Sequence, residues 1–243
     1  LDLLAGGPVV AGISRSFDAY WNSDWAVPIG AFLGEPPASA QLQQLLQRMD
    51  ERAEKFRESD YAETLRATDL GRLLRAGGPP LAPARASALY DDPPKPRNGS
   101  DRTESGILSV LRGAIEAAQR EVILISPYFI PSERGVGVLC GLAASRVGVK
   151  VLTNSLASTD VPVVHAGYAR YRSRLLACGV QLYERRPGDG SARSARARLS
   201  SGASLHAKAA VVDRKWVLLG SMNLDPRSRL SNTEVAVSVE SAA

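Results

Sequence analysis

The stretch Leu205–Asn223, "LHAKAAVVDRKWVLLGSMN", decides how this chain is read. His206 and Lys208 are two residues apart, so on a β-strand both side chains point to one face. Val211 and Val212 end one apolar run and Trp216 to Leu219 form the next. The polar residues Asp213, Arg214 and Lys215 lie between, which predicts a β-hairpin with a short turn. Asp213 is an odd number of residues from His206 and should face away from it, in a structural role at the turn. Ser221 and Asn223 emerge where the second strand ends, and Gly220 would let backbone approach an anion closely.

That inventory suits a phosphoryl group. Displacement at phosphorus needs a nucleophile, an acid for the leaving oxygen and positive charge around the equatorial oxygens. A neutral imidazole can attack phosphorus and form a phosphohistidine. Lys208 supplies a compact cation, and Ser221 and Asn223 supply neutral donors. No metal or other cofactor is required, and the stretch carries no carboxylate cluster of the kind that holds magnesium. Downstream, "NTEVAVSVE" alternates: Glu234, Ala236, Ser238 and Glu240 share one face, and Val235, Val237 and Val239 the other. This is the pattern of a half-buried strand.

The spacing of His206, Lys208, Asp213, Gly220, Ser221 and Asn223 resembles the HKD motif of the phospholipase D superfamily. The resemblance implies a catalytic set of His206, Lys208, Asp213, Ser221, Asn223 and Glu234. It also implies that Glu234 accepts a hydrogen bond from the catalytic imidazole and fixes its tautomer, as a carboxylate orients a histidine elsewhere.

The chain has 243 residues, enough for one large or two small domains, and is 44% hydrophobic. Lys plus Arg number 30 against 25 for Asp plus Glu, a net charge of +5. This mildly basic balance suits an anionic partner, phospholipid or nucleic acid. Cys140 and Cys178 fall inside predicted helices and read as buried thiols rather than a disulfide. No apolar run approaches the ~20 residues needed to span a bilayer, and no signal peptide is visible. Leu1 is not a natural start, so the chain is expected to begin inside a larger protein.

Residues 1–30 read as a strand, a Gly-Gly-Pro turn and an amphipathic helix striped by Val10, Ile13, Phe17 and Tyr20 or Trp21. Residues 31–78 read as a helical connector of two helices broken near Ser59 and Asp60, striped by Leu42, Leu45, Leu46 and Met49, then by Leu65, Leu70, Leu73 and Leu74. Residues 79–243 begin with a strand and a Pro-rich loop, where Asp91 and Asp92 suit turn chemistry. An αβ alternation follows. Asp101 and Glu104 mark a helix start, and Ile107, Leu108, Leu111 and Ile115 stripe that helix. The runs "VILIS", "VKVLTN" and "VQLYE" are strands, separated by helices at about 133–146 and at Asp160–Cys178. Strands alternating with helices predict a mainly parallel central sheet with helices on both faces.

A second constellation lies in "TNSLASTDVPVVHAGYARYR", Thr153 to Arg172. Asn154 sits at the C-terminal end of a strand, where ligands bind in open α/β sheets. Ser158, Thr159 or Asp160 would cap the next helix. His165, Tyr168 and Arg172 are three and four apart and share a helix face. They form either a wall that recognises a head group or one edge of an ordinary amphipathic helix. This stretch, with "SPYFIP" at Ser126 to Pro131, resembles the C-terminal half of bacterial cardiolipin synthases without transmembrane helices.

The resemblance implies a phospholipase D-like αβ sandwich and a phosphatidyl transferase acting through phosphohistidine on a phosphatidylglycerol-like phospholipid. Asn154, His165, Tyr168 and Arg172 would then bind substrate. It makes residues 1–30 the tail of a first repeat and 79–243 a second, catalytic repeat. Such enzymes carry two HKD motifs, whereas this chain has two histidines in all, and His165 has no Lys two residues later. The expected partners are therefore the missing HKD half, the lipid and an anionic membrane surface, met through Arg185, Arg186, Arg193, Arg196 and Arg198, with no nucleic acid. The expected location is the bacterial cytoplasmic membrane, peripherally, or the cytoplasm. The competing readings are a nuclease of the same superfamily that completes its site by dimerising, and a non-catalytic anion-binding module.

Overall fold

The computed structural model describes residues 3–32, 38–79, 81–93, 106–186 and 204–241. These fall into two compact units, Leu1–Ser23 with Ala84–Ala243, and Asp24–Pro83.

The larger unit is built on a seven-stranded sheet. Its strands are β1 (Arg85–Tyr90), β2 (Glu121–Ile125), β3 (Gly148–Asn154), β4 (Gln181–Arg185), β5 (Ala209–Val212), β6 (Trp216–Gly220) and β7 (Val235–Glu240), in the order β1-β7-β6-β5-β2-β3-β4. The β2–β3 and β3–β4 pairs are parallel and the other four neighbouring pairs are antiparallel. The sheet is thus α/β but mixed, not mainly parallel. The crossovers through α6 (Ser132–Ala144) and α7 (Pro162–Ala177) carry β2 to β4 in parallel. The hairpin at Asp213 makes the β5–β6 pair antiparallel, and the segment between Gly220 and Val235 brings β7 back antiparallel to β6.

One face of this sheet carries the core. Val122, Leu124, Val149, Val151, Ala210, Val212, Leu218 and Ala236 belong to a single apolar cluster with Ile107, Leu111 and Ile115 of α5 (Gly106–Glu116), Val136 and Leu139 of α6, and Tyr168 and Leu175 of α7. The stripe read for α5 is the one it buries. Residues 101–105, where its start was expected, lie outside the described residues. In β7 the buried member is Ala236, while Val235 is exposed. Its core face is therefore the Ala–Ser face and not the valine face.

The helix α1 (Pro8–Trp21) begins with Pro8 in its first turn, as read, but Leu3–Gly6 form no strand. Its packed residues are Val9, Gly12 and Ser16, whereas Val10, Ile13, Phe17 and Trp21 are exposed. A Cβ on Gly12 would lie 2.8 Å from Ala88 Cβ, so only glycine lets the helix come this close to β1. Leu89 packs on the core cluster while Ala88 meets Gly12, so α1 lies on the opposite face at the β1 edge.

Cys140 of α6 and Cys178 at the C-terminal cap of α7 form a disulfide across 5.4 Å between Cα atoms. This corrects the buried-thiol expectation. Sequence spacing does not reveal that α6 and α7 lie side by side.

The smaller unit holds α2 (Ser39–Arg57), α3 (Asp60–Ala67) and α4 (Asp69–Arg75). Ser59 and Thr68 cap α3 and α4 by accepting from Ala62 N and Gly71 N, so the second expected helix is split at Thr68. Leu42, Leu45, Leu46 and Met49 are all exposed. Among the described residues no helix is long and apolar enough to cross a membrane.

Candidate active site

The Lys208 end of the β5–β6 hairpin gathers polar groups. His206 and Lys208 are side by side, with Lys208 Nζ 3.3 Å from His206 Nδ1, 3.4 Å from Nε2 and donating to His206 O at 2.7 Å. They precede β5 rather than lying on it. Ala209 is the last residue paired to β2, opposite Ile125, and the chain beyond Ile125 leaves the sheet at Ser126–Pro127. His206 is exposed and Lys208 half-buried. Burial pushes the Lys208 pKa below its ordinary value, partly offset by the carboxylates of Glu234 and Asp160.

Glu234 is buried, and the donor placed on its Oε2 is the hydroxyl of Ser221 rather than His206. The register explains this. Gly220 pairs with Ala236, Ser221 N donates to Val235 O, and Val235 N donates to Ser221 Oγ. Ser221 therefore sits between the site and the start of β7. Glu234 N in turn donates to Asp91 Oδ2, a buried carboxylate at the end of β1 that sequence had assigned to a turn. Gly220 also has a different reason from the one expected. A Cβ there would lie 2.4 Å from Val235 O and 2.7 Å from Ala236 Cα, so the close approach is to β7.

The loop after β6 is pinned twice. Ser228 Oγ accepts from Asn223 N, and Ser126 Oγ accepts from Leu224 N. Asn223 Oδ1 is buried without a hydrogen-bond partner among the described residues. Asp213, grouped with the catalytic set by its motif, lies at the other end of β5. Its carboxylate accepts from the backbone N–H groups of Gln119, Arg120 and Glu121. Burial raises its pKa, but the three donors outweigh that and hold it below the ordinary value. The turn role read from strand parity is the role the geometry gives it.

Asn154 does not face an open site. Its Nδ2 donates to Ser204 Oγ and Leu205 O, and its Oδ1 accepts from Leu205 N and Ser158 Oγ. Arg185 O at the end of β4 lies 3.1 Å from the same Ser158 hydroxyl, as the alternative acceptor for its one proton. Asn154 and Ser158 thus fasten the chain at 185 and at 204–205 to the end of β3. Ser158 is not the cap of α7, whose N-cap position is Val161 with no side-chain bond.

The stripe on α7 also differs from a head-group wall. Tyr168 is in the core, 6.0 Å from Phe129 between ring centroids, with its pKa raised by burial first and by the Glu184 carboxylate next. His165 lies edge-on against it at 5.5 Å. Arg172 pairs with Glu184 at 2.9 Å. What approaches Lys208 electrostatically is Asp160, which accepts from Tyr128 O–H at 2.9 Å. Burial and then Asp160 push the Tyr128 pKa up to about 12. Sequence had offered Asp160 only as a cap, and nothing in the spacing linked it to a tyrosine 32 residues away. The Arg-rich segment from 187 to 203 lies outside the described residues.

Residues 111–243 match the family model described as cardiolipin synthase, PLD-like domain. The chain belongs to this family. It is 36% identical over 247 residues to cardiolipin synthase C of Escherichia coli K12, covering 99% of this chain and 51% of that protein. An uncharacterized protein of Helicobacter pylori strain 26695 is 30% identical over 237 residues, covering 98% of this chain and 46% of the relative. This member of the family thus spans about half the length of these curated relatives. Its fold is shared with the crystal structure of phosphatidylserine synthase from Haemophilus influenzae, at a TM-score of 0.53 and 16% identity, over 96% of this chain and 49% of that one.

Proposed function

We propose that this chain supplies one half of a phosphatidyl transferase site of the cardiolipin synthase type, acting on a phosphatidylglycerol-like phospholipid. The observation that carries the reading is the exposed His206 ring with Lys208 Nζ 3.3 Å from Nδ1, beside the Ser221–Glu234 pair. A ring nitrogen of His206 can attack phosphorus, or protonate the leaving oxygen while a second histidine attacks. On this reading Lys208 meets the phosphoryl oxygens, and Ser221, whose hydroxyl donates to Glu234, holds that carboxylate beside the site. In-line displacement needs proton-transfer groups on both sides of phosphorus. The opposite group must come from a second His–Lys set, in another segment or another polypeptide. On this reading residues 1–30 belong to a first repeat, 31–78 connect the repeats, and 79–243 form the second.

The test is turnover of labelled phosphatidylglycerol by the chain, verified as a monomer by light scattering, and by the chain mixed with the other half. The monomer should be inert, because loss of general acid catalysis alone costs ~10²–10⁴ in rate. The mixture should turn over and lose activity with His206→Ala. Robust turnover by the monomer would overturn the two-half mechanism. Turnover confined to a homodimer, with phosphodiesters of nucleic acid preferred, would give the nuclease reading instead.

A further inference from the structure

Glu234 is held from two sides. Its carboxylate accepts from the Ser221 hydroxyl, and its backbone is held by Asp91. Tyr90 pairs with Val235 at the end of β1, so the next step of the ladder sets Asp91 against Glu234. Asp91 N donates to Glu234 O at 3.0 Å. Glu234 N donates in return to the Asp91 carboxylate, 3.1 Å from Oδ2. The Asp91 carbonyl accepts from Tyr20 O–H at 2.8 Å. One residue thus joins α1, β1 and the start of β7 at the point where the chain enters the site.

Asp91 is 5% exposed, whereas Asp92 beside it is exposed. Turn chemistry is met by an aspartate at the surface. A carboxylate taken out of water costs free energy unless donors surround it. The fold sets this one on the backbone N–H of the residue whose side chain faces Ser221. Tyr20 suits its part. Burial raises its pKa, Thr233 opposes by a side-chain hydrogen bond, and the carboxylates of Asp91, Asp92 and Glu234 raise it further, so the phenol remains a donor. Its helix is seated by the approach of Gly12 to Ala88 of β1. Lys208 lies within electrostatic reach of Glu234. A shift of the Glu234 backbone would therefore be felt at both Ser221 and Lys208.

We propose that Asp91 is a positioning residue for the His206–Lys208 site, supported from α1 by Tyr20: it fixes the backbone of Glu234, and so the place where the Glu234 carboxylate meets Ser221. Asp91 acts through Glu234 and not on substrate. The inference rests on the catalytic reading above and extends the site to a residue and a helix outside the motif.

The test has two arms. In the first, the chain mixed with its other half turns over labelled phosphatidylglycerol, and rates are taken per folded molecule from urea titrations. Asp91→Ala should lower kcat by about 10- to 100-fold with KM unchanged, the usual scale for a group that orients a catalytic one. Asp91→Asn, which keeps an oxygen for Glu234 N, should restore most of that loss. Tyr20→Phe, the milder change, should lower kcat by about two- to tenfold, the scale of one neutral hydrogen bond. A lower urea midpoint for Asp91→Ala with kcat per folded molecule unchanged would make Asp91 a strand-end cap and overturn the proposal. The second arm needs no turnover. In the chain alone, Asp91→Ala should quicken amide exchange at Ser221 and Val235 by about tenfold, again one hydrogen bond in scale, and leave Val149 and Val151 unchanged. Faster exchange confined to Glu234 would also overturn it. A parent mixture without turnover would sink the catalytic reading, while exchange in the chain alone still decides whether Asp91 sets the Ser221–Glu234 contact.

Discussion

The two ends of β5 carry the same kinds of residue and use them in opposite ways. At one end Asp213 has its carboxylate filled by three backbone N–H groups, on a turn where Asp213 and Arg214 both have positive φ, 53° and 58°. These two lie in the three-residue connection between paired Val212 and Trp216, and positive φ there turns the chain in the sense that follows strand twist. At the other end His206 is exposed, Lys208 is half-buried, and Glu234 is buried with the Ser221 hydroxyl donating to Oε2. A charge satisfied by backbone builds the scaffold. A charge left facing a half-open surface is available to a substrate. Both ends belong to one motif, so the motif contains its own support.

The contrast is tested most severely by His206→Ala. With the site completed by its other half, turnover should fall by about 10²–10⁴, and the urea midpoint should stay near that of the parent because the side chain is exposed. Unchanged turnover would remove the functional end. Asp213→Asn should behave in reverse, losing about 1–3 kcal/mol of stability from weakened charge-assisted bonds while the folded fraction keeps its turnover. Its pH dependence has a definite sign. The Asp213 pKa is lowered in the folded state, so its contribution is fully present above the unfolded value of about 3.9 and is lost as pH falls through the folded one. The gap between parent and variant should therefore close in acid. A gap that persists at the lowest pH would mean that the turn, not the charge, is the source.

Asn154→Asp places oxygen against Ser204 Oγ and Leu205 O in place of two N–H bonds. The loss of about 1–3 kcal/mol should appear as a fall in kcat with KM held, and as faster amide exchange at Leu205. A rise in KM alone would return Asn154 to substrate contact. The smallest effect is expected for Lys208→Met in denaturant titrations. The Lys208 pKa is lowered in the folded state, so the unfolded chain binds that proton more tightly. Parent stability should then rise with pH between the folded value and the unfolded one near 10.4. The variant should be the more stable at pH 7, with its advantage shrinking towards pH 10. A constant difference would show Lys208 to be fully solvated.

Legibility followed the range of the interactions. The hairpin, the α5 stripe and the order of strands and helices came through because each depends on residues close in sequence. The α2 stripe has the same periodicity as α5, yet Leu42 is 47% exposed where Ile107 is fully buried. Periodicity reports that a face can be buried and says nothing of what covers it. The same limit shows in α1, where Val9, Gly12 and Ser16 pack while Val10, Ile13, Phe17 and Trp21 do not, and in β7, whose alanine faces the core. In both cases the neighbour leaves room for little, and backbone proximity outweighed hydrophobicity.

What the sequence determined alone is the hairpin that spaces His206 and Lys208 from Ser221 and Asn223, since turn chemistry and strand parity act over a few residues. The tertiary structure decided the partners: Ser221 on Glu234, three N–H groups on Asp213, Asn154 on Leu205, Asp160 within electrostatic reach of Lys208, and Cys140 joined to Cys178. Each of these, apart from the motif pair Ser221–Glu234, joins groups at least 38 residues apart. Hydrogen bonds and disulfides are made across a few ångströms of space, and only the packed sheet and its helices set which distant residues come within that distance.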